Sequence, residues 1–136
     1  MIELNSNIDP TSVNILIVDD IPLNILLIQK MLSRCKYNLL TANDGQQALD
    51  AIDANKVNLV LLDLMMPGID GWEVIRRLRS KDDTKNLPIV ILSALNSNED
   101  VTKGLKLGAN DFITKPIIME TLLNCVAETL NAQATA

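Results

Sequence analysis

Short apolar runs recur along the chain, and stretches with helical spacing of apolar residues separate them. The runs cover residues 13–18, 37–42, 57–62, 88–93 and 111–114. Each run has the length of a strand, and most are apolar at nearly every position instead of alternating with polar residues. Such strands are buried on both faces, as in a parallel sheet covered by helices on each side. The pattern predicts a doubly wound α/β domain with a five-stranded parallel sheet and five helices.

Residues that start and stop helices stand between these runs. Pro22 suits the first turn of a helix, Asp44 and Ser97 suit the position just before one, and Gly108 suits the position just after one. The sequence contains no repeat and no internal linker. We therefore expect one domain over residues 13–130, with a flexible N-terminal extension over residues 1–12 and a C-terminal tail over residues 131–136.

Charge and composition limit the classes of partner and of chemistry. The chain has 136 residues with a net charge of -5, which argues against direct binding to nucleic acid or to an anionic membrane. It contains no histidine, the commonest general base and metal ligand. Cys35 and Cys125 lie among apolar residues, so we expect them in the core as free thiols.

The sequence also bears on the location of the protein. Its first residues lack the basic and apolar segments of a signal peptide, and no uncharged apolar run approaches the ~20 residues of a membrane-spanning helix. We expect a cytoplasmic protein with no membrane insertion.

Acidic, hydroxyl and amino side chains occur where the predicted strands end. Asp19 and Asp20 follow the first strand, Asp63 follows the third, Ser93 ends the fourth and Lys115 follows the fifth. The carboxyl ends of parallel strands meet at one edge of the sheet, where open α/β folds bind their ligands. We therefore expect these side chains to converge.

Carboxylates held close together resist joint ionisation unless a cation lies among them. With oxygen ligands and no histidine, the preferred ion is Mg²⁺, which binds one or two carboxylates together with phosphate oxygens, and Lys115 would then face the phosphate. Taken singly, the residues have ordinary alternatives, with Asp20 as a helix cap and Lys115 as a solvated surface lysine. Their coincidence at one sheet edge favours a site.

Four segments carry a resemblance to a known family: ILIVDD at 15–20, LVLLDLMMPGIDG at 59–71, PIVILSA at 88–94 and LGANDFITKP at 107–116. In this order and spacing the chain resembles the receiver domain of two-component response regulators. The resemblance covers about residues 13–130 and implies the flavodoxin-like fold of that family, with strand order 2-1-3-4-5.

The resemblance also implies roles for the acidic residues. Asp63 matches the phosphoacceptor, which takes a phosphoryl group from a phosphoramidate and becomes an aspartyl phosphate. Asp19 and Asp20 match the acidic pair that holds Mg²⁺, the second directly and the first through water. The backbone carbonyl of Met65 matches the third protein ligand of the metal, beside Asp63 itself.

Further positions match the family's conformational switch. Ser93 matches the hydroxyl residue that bonds the phosphoryl group, and Lys115 matches the lysine that pairs with it, followed by a cis peptide bond to Pro116. Phe112 matches the switch aromatic, which rotates inward when the hydroxyl moves and repacks the face formed by the fourth helix, fifth strand and fifth helix. The alternative for Phe112 is a permanently buried core residue.

The first helix is more apolar than a surface helix requires. We assign one stripe of it to the core: Leu27, Ile28, Met31, Leu32 and Cys35. The remaining apolar side chains predict an exposed patch of Leu23, Ile25 and Leu26 beside the acidic site. The resemblance implies that a histidine kinase or a histidine phosphotransfer protein docks there as phosphodonor. Scattered exposed leucines with no partner are the alternative.

The resemblance implies a signalling module and not a turnover enzyme, with self-phosphorylation from a donor and, because Met65 and Leu95 are apolar, slow self-dephosphorylation. The sequence does not identify the downstream partner protein. The family also allows a homodimer through the face formed by the fourth helix, fifth strand and fifth helix. A stand-alone regulator and a receiver from a hybrid kinase both fit. Two other classes are alternatives, a haloacid-dehalogenase-like Mg²⁺ phosphatase and a pseudo-receiver that only binds a partner.

Overall fold

The computed structural model describes residues 2–134. Within these residues the chain forms one sheet of five parallel strands in the order β2-β1-β3-β4-β5. The strands are β1 (Asn14–Val18), β2 (Asn38–Ala42), β3 (Leu59–Leu62), β4 (Ile89–Ser93) and β5 (Asp111–Thr114). The predicted doubly wound α/β class and its strand order are confirmed.

Five α-helices connect and cover the strands in this part of the chain: α1 (Pro22–Leu32), α2 (Gly45–Ala54), α3 (Gly71–Arg79), α4 (Asn98–Leu107) and α5 (Met119–Ala134). Asp44, Ser97 and Gly108 cap α2 and α4 at the predicted positions. The Asp44 side chain accepts the Gln47 N–H at the start of α2, and the Ser97 hydroxyl accepts the Asp100 N–H at the start of α4. Gly108 ends α4 in the left-handed conformation, with φ of 117°.

The inner strands β1, β3 and β4 are buried on both faces, whereas the edge strands β2 and β5 are partly exposed. Along β1, Ile15 and Ile17 face a layer formed by α1 and α5, while Leu16 and Val18 face a layer that includes α2 and α3. All four side chains are at most 2% exposed. This two-sided burial is the reason why the strands are apolar at consecutive positions.

The face that α1 turns to the sheet differs from the predicted one. Ile25, Ile28 and Leu32 are buried, whereas Leu27 is 47% exposed. The placement of Ile25 on an exposed patch was therefore wrong, and so was the placement of Leu27 in the core. Apolar residues surround most of this helix, so their spacing cannot select a face, and packing against the sheet selects it. Leu23 and Leu26 are exposed as predicted.

Both ends of the described chain lie against the domain. The half-buried side chains of Leu4 and Ile8 pack against the α1 and α5 layer, and α5 continues to Ala134. The division into extension, domain and tail stays a prediction, and its residues 1, 135 and 136 lie outside the described residues. Cys35 and Cys125 are free thiols, half-buried and buried. No helix of the described chain is both long and apolar enough to cross a lipid bilayer.

Candidate functional site

Strand register brings the predicted site residues to one sheet edge. β1 and β3 are neighbours, and Asp19 and Asp63 each follow the last residue of these strands. The Asp63 N–H donates to the Val18 carbonyl at 3.0 Å, which continues the ladder beyond the strand ends. On the other side, the Lys115 N–H donates to the Ser93 carbonyl at 2.8 Å. The backbone itself thus positions the acids, the hydroxyl and the amine.

The acids and the lysine form a compact charged cluster. Asp19, Asp20 and Asp63 each place one carboxylate oxygen within 4.8 Å of the others. The Lys115 ammonium lies 3.0 Å from Asp19 Oδ2 and 3.8 Å from Asp63 Oδ1. One ammonium among three ionised carboxylates leaves two negative charges, the complement of a divalent cation. Because all the acidic donors are hard oxygens, the residues present fit a Mg²⁺-type ion.

Asp19 and Asp20 differ in how their oxygens are engaged. Asp19 Oδ1 accepts the Ile21 N–H at 2.9 Å, and its Oδ2 accepts from Lys115. Asp20 makes no hydrogen bond or ion pair with the described residues. Helix α1 is capped at Ile21 without a side-chain bond, so the alternative of Asp20 as a helix cap is wrong. The Asp20 carboxylate is free to bind a ligand directly.

The electrostatic environment of Asp63 is set mainly by its burial. The residue is 5% exposed, and this desolvation raises the pKa of its carboxyl above the ordinary range. The Lys115 ammonium lowers this pKa, and the neighbouring charges of Asp19 and Asp20 raise it further. The Met65 N–H donates to Asp63 Oδ1 at 3.3 Å and favours the ionised form. A cation in the cluster would relieve the conflict.

Replacing Asp63 with asparagine is expected to stabilise the fold at neutral pH. The pKa of the Asp63 carboxyl is raised in the folded state, so its ionisation costs more there than in the unfolded chain. The free energy of unfolding therefore falls as the pH rises from the pKa of the unfolded chain through the raised pKa of the folded state. Without metal, Asp63→Asn should raise the melting temperature by roughly 2 to 4 °C near pH 7, with less gain near pH 3. Circular dichroism melts measure this, with Asp82→Asn as the control, because the Asp82 side chain is 98% exposed. A lower melting temperature at both pH values would contradict the expectation.

The predicted switch residues lie on the neighbouring strands β4 and β5, on the side of β3 away from β1. Ser93 is fully buried, and its hydroxyl accepts the Leu95 N–H at 3.2 Å. Phe112 is half-buried and packs against the layer formed by α2, α3 and the α4 end. Its ring lies close to α4, since a Cβ built on Gly104 would be 3.2 Å from Cδ2 of the ring. Phe112 is thus packed against α4 but not fully buried, and its role as a switch stays a prediction.

Two features of the site were not apparent from the sequence. The lysine, expected to face a phosphate, pairs with Asp19 in this structure. A cleft of about 430 Å³ lies beside this pair, between α1 and the connection from β5 to α5, where the Lys115–Pro116 peptide bond is cis. Asn24, Leu27 and Met31 line its α1 side. No sequence signal separates Leu27 from the core residues of α1, because only the packing of the helix leaves it open.

Comparisons with known proteins point to one family. The family model described as the response regulator receiver domain matches residues 15–127. The response regulator PleD of Caulobacter vibrioides is 42% identical over 106 residues, which are 78% of this chain and 23% of that protein. The response regulator GtcR of Aneurinibacillus migulanus is 45% identical over 105 residues, which are 77% of this chain and 42% of that protein. The chain thus spans less than half the length of these two relatives.

Solved structures resemble the whole described domain. The signal receiver domain of a signal transduction histidine kinase from Syntrophus aciditrophicus aligns with a TM-score of 0.82 at 30% identity, over 89% of this chain and 92% of that one. The chemotaxis protein CheY4 of Vibrio cholerae aligns with a TM-score of 0.81 at 29% identity, over 87% of this chain and 98% of that one. With its sheet order, its acidic cluster and these likenesses, the chain belongs to the response regulator receiver domain family of two-component systems.

Proposed function

We propose that this domain takes a phosphoryl group from a phosphohistidine onto Asp63 and passes the signal to a partner protein. The observation that carries the proposal is the position of Asp63, a buried carboxylate held at the end of β3 beside two further acids and one lysine. Rigid placement and nearby charge are what phosphoryl transfer asks of a protein, since its transition state needs little covalent help.

The transfer balances without a general base. An ionised Asp63 oxygen bonds to phosphorus while the phosphorus–nitrogen bond of the donor breaks, and the departing imidazole nitrogen keeps the electron pair and takes a proton from solvent. Mg²⁺ bound by Asp19, Asp20, Asp63 and the Met65 carbonyl would neutralise charge on the phosphoryl oxygens. Lys115, which lies 3.8 Å from Asp63, would exchange its bond with Asp19 for one with the phosphoryl group.

Ser93 and Phe112 would convert this chemistry into a change of surface. A phosphoryl oxygen on Asp63 offers the Ser93 hydroxyl a charged acceptor in place of its bond with the Leu95 N–H. Movement of the hydroxyl makes room for the half-buried Phe112 ring and repacks the surface of α4, β5 and α5. That surface is the proposed contact for the downstream partner or for a second copy of the chain.

An acyl phosphate with Mg²⁺ provides the direct test. Intact-mass spectrometry should show the gain of one phosphoryl group, and the gain should disappear when the metal is chelated. A chromogenic phosphomonoester separates this reading from a haloacid-dehalogenase-like phosphatase, because a phosphatase turns over many equivalents and a receiver does not. Sustained turnover, or no phosphoryl gain from any donor, would overturn the proposal. A pseudo-receiver predicts the second of these results.

We expect Leu26→Glu to slow phosphotransfer from a histidine phosphotransfer protein by roughly tenfold or more, as an introduced charge in an apolar contact does. Leu26 is 57% exposed on α1, near Leu23 and the cleft edge at Leu27, and Ile25 is not part of this surface. Rapid-quench kinetics with the phosphorylated donor measure the rate. Leu105→Glu is the matched control, since Leu105 is 45% exposed on α4. Equal rates for both variants would refute donor docking on α1.

The phosphoryl group should be lost slowly after the donor is removed. Met65 and Leu95 follow Asp63 and Ser93 by two residues, and neither side chain can orient a hydrolytic water by hydrogen bonding. We expect a phosphoryl lifetime of minutes or longer and a shorter one for Met65→Asn, followed by mass spectrometry after desalting. Loss within seconds would contradict this. The domain is accordingly a transient signal carrier and not a turnover enzyme.

A further inference from the structure

The N-terminal residues lie along α5 and bind two of its asparagine side chains through their backbone. The Ile2 N–H donates to Asn124 Oδ1 at 2.9 Å, and the Asn5 N–H donates to Asn131 Oδ1 at 2.7 Å. Asn131 also donates from Nδ2 to the Glu3 carbonyl at 3.0 Å. One asparagine side chain thus accepts from and donates to the backbone of the same segment, as a neighbouring strand would.

The two anchors lie on one side of the helix. Asn124 and Asn131 are seven residues apart, which is about two turns, so they share a stripe of α5. Between and beyond the anchors, Leu4 and Ile8 are half-buried against the α1 and α5 layer. The contacts therefore combine main-chain recognition at two points with two apolar side chains, the pattern by which proteins bind extended peptides.

We propose that the Asn124 and Asn131 stripe of α5 is a docking surface for an extended peptide, and that residues 2–8 are a strap that occupies it in cis. The strap is displaceable, because its three hydrogen bonds to α5 are partly exposed and only two of its side chains pack against the layer. Its covalent attachment gives it a high effective concentration, so the stripe is closed by default. This inference does not rest on phosphorylation of Asp63.

The stripe borders the proposed signalling surface. Asn124 also lines the groove along β5 together with Phe112, Cys125 and Glu128. A partner segment that uses this side of α5 must displace the strap, and by linkage any change that loosens the strap makes the stripe more available. The strap thus acts as a built-in competitor for α5.

Amide hydrogen exchange on the full chain tests closure. The Asn5 amide should exchange at least tenfold more slowly than in a free peptide of residues 2–9, and Asn131→Ala should remove this protection. Asp53→Ala, at an exposed position on α2 far from the strap, is the control and should leave it unchanged. An Asn5 amide that exchanges as fast as in the free peptide would overturn the proposal without any substitution.

Peptide binding tests the docking surface. Leu4→Glu should release the strap, and the free peptide of residues 2–9 should then shift the Asn124 and Asn131 side-chain amide signals at roughly millimolar concentration. The chain without substitution and the matched control Ser6→Glu, which adds the same charge at an exposed turn position, should bind the peptide at least tenfold more weakly. Asn131→Ala added to Leu4→Glu should abolish binding. Absence of signal shifts in Leu4→Glu would refute the proposed docking surface. Equal shifts in Leu4→Glu, Ser6→Glu and the unsubstituted chain would refute it as well.

Discussion

Replacing Asp63 with alanine is expected to abolish phosphoryl incorporation from both an acyl phosphate and a phosphohistidine donor. Asp63 is the acid that directly follows the central strand β3, and its side chain is buried. Asp19 cannot replace it, because both its oxygens are engaged by the Ile21 N–H and by Lys115. Intact-mass spectrometry after donor treatment should show no phosphoryl gain for Asp63→Ala.

The control for this experiment is Asp82→Ala, which removes an aspartate whose side chain is 98% exposed. It should incorporate one phosphoryl group as the unsubstituted chain does. Peptide mapping of the phosphorylated control should place the group between Leu59 and Met66. A residual phosphoryl group on Asp63→Ala at the same stoichiometry would show that another residue is the acceptor, and would refute the assignment of Asp63.

The second large effect is expected on metal affinity. Asp20→Asn keeps the shape of the side chain and removes the one carboxylate of the cluster that has no hydrogen bond to the described residues. A direct ligand that loses its charge should weaken Mg²⁺ binding by at least tenfold, since the cation then meets fewer carboxylates. Stability should change little, because Asp20 bonds to nothing in the described fold.

Titration calorimetry or the fluorescence of Trp72 can follow the binding. Trp72 is the only tryptophan, and it is half-buried at the start of α3 with the Lys103 ammonium 4.2 Å from its ring centroid. Asp53→Asn, at an exposed position on α2, serves as the matched control. If Asp20→Asn bound Mg²⁺ as tightly as the control, Asp20 would not be a direct ligand. Phosphoryl transfer to Asp20→Asn should fall in parallel with its metal occupancy.

Sequence patterns were sufficient for the sheet and for the residues at its carboxyl edge. The five apolar runs match the five strands within two residues at each end, and the match is clearest for β1, β3 and β4, which are buried on both faces and therefore apolar at nearly every position. Asp19, Asp63 and Lys115 could then be placed together, since strand ends in a parallel sheet share one edge. Their roles in phosphoryl transfer stay predictions.

Sequence patterns failed where several arrangements satisfy the same spacing. Helix α1 carries apolar residues around most of its circumference, and the packing against β1 and α5 placed Ile25 inside and Leu27 outside. The N-terminal residues read as a frayed extension, because their composition is polar and aperiodic. Their contacts with Asn124 and Asn131 join residues more than 120 positions apart, which no local pattern encodes.

The sequence by itself determined the α/β class, the strand order through a family resemblance, and the acids, hydroxyl and lysine that meet at the sheet edge. The class and the meeting of these side chains follow from local periodicity and from chain direction, which each segment carries within itself, whereas the strand order came from the resemblance alone. Only the tertiary structure decided which face of α1 is buried, that Lys115 pairs with Asp19, and that residues 2–8 lie on α5. The physical reason is that these contacts depend on the packing of segments distant in sequence, where shape and hydrogen-bond geometry, and not hydrophobic spacing, select one arrangement.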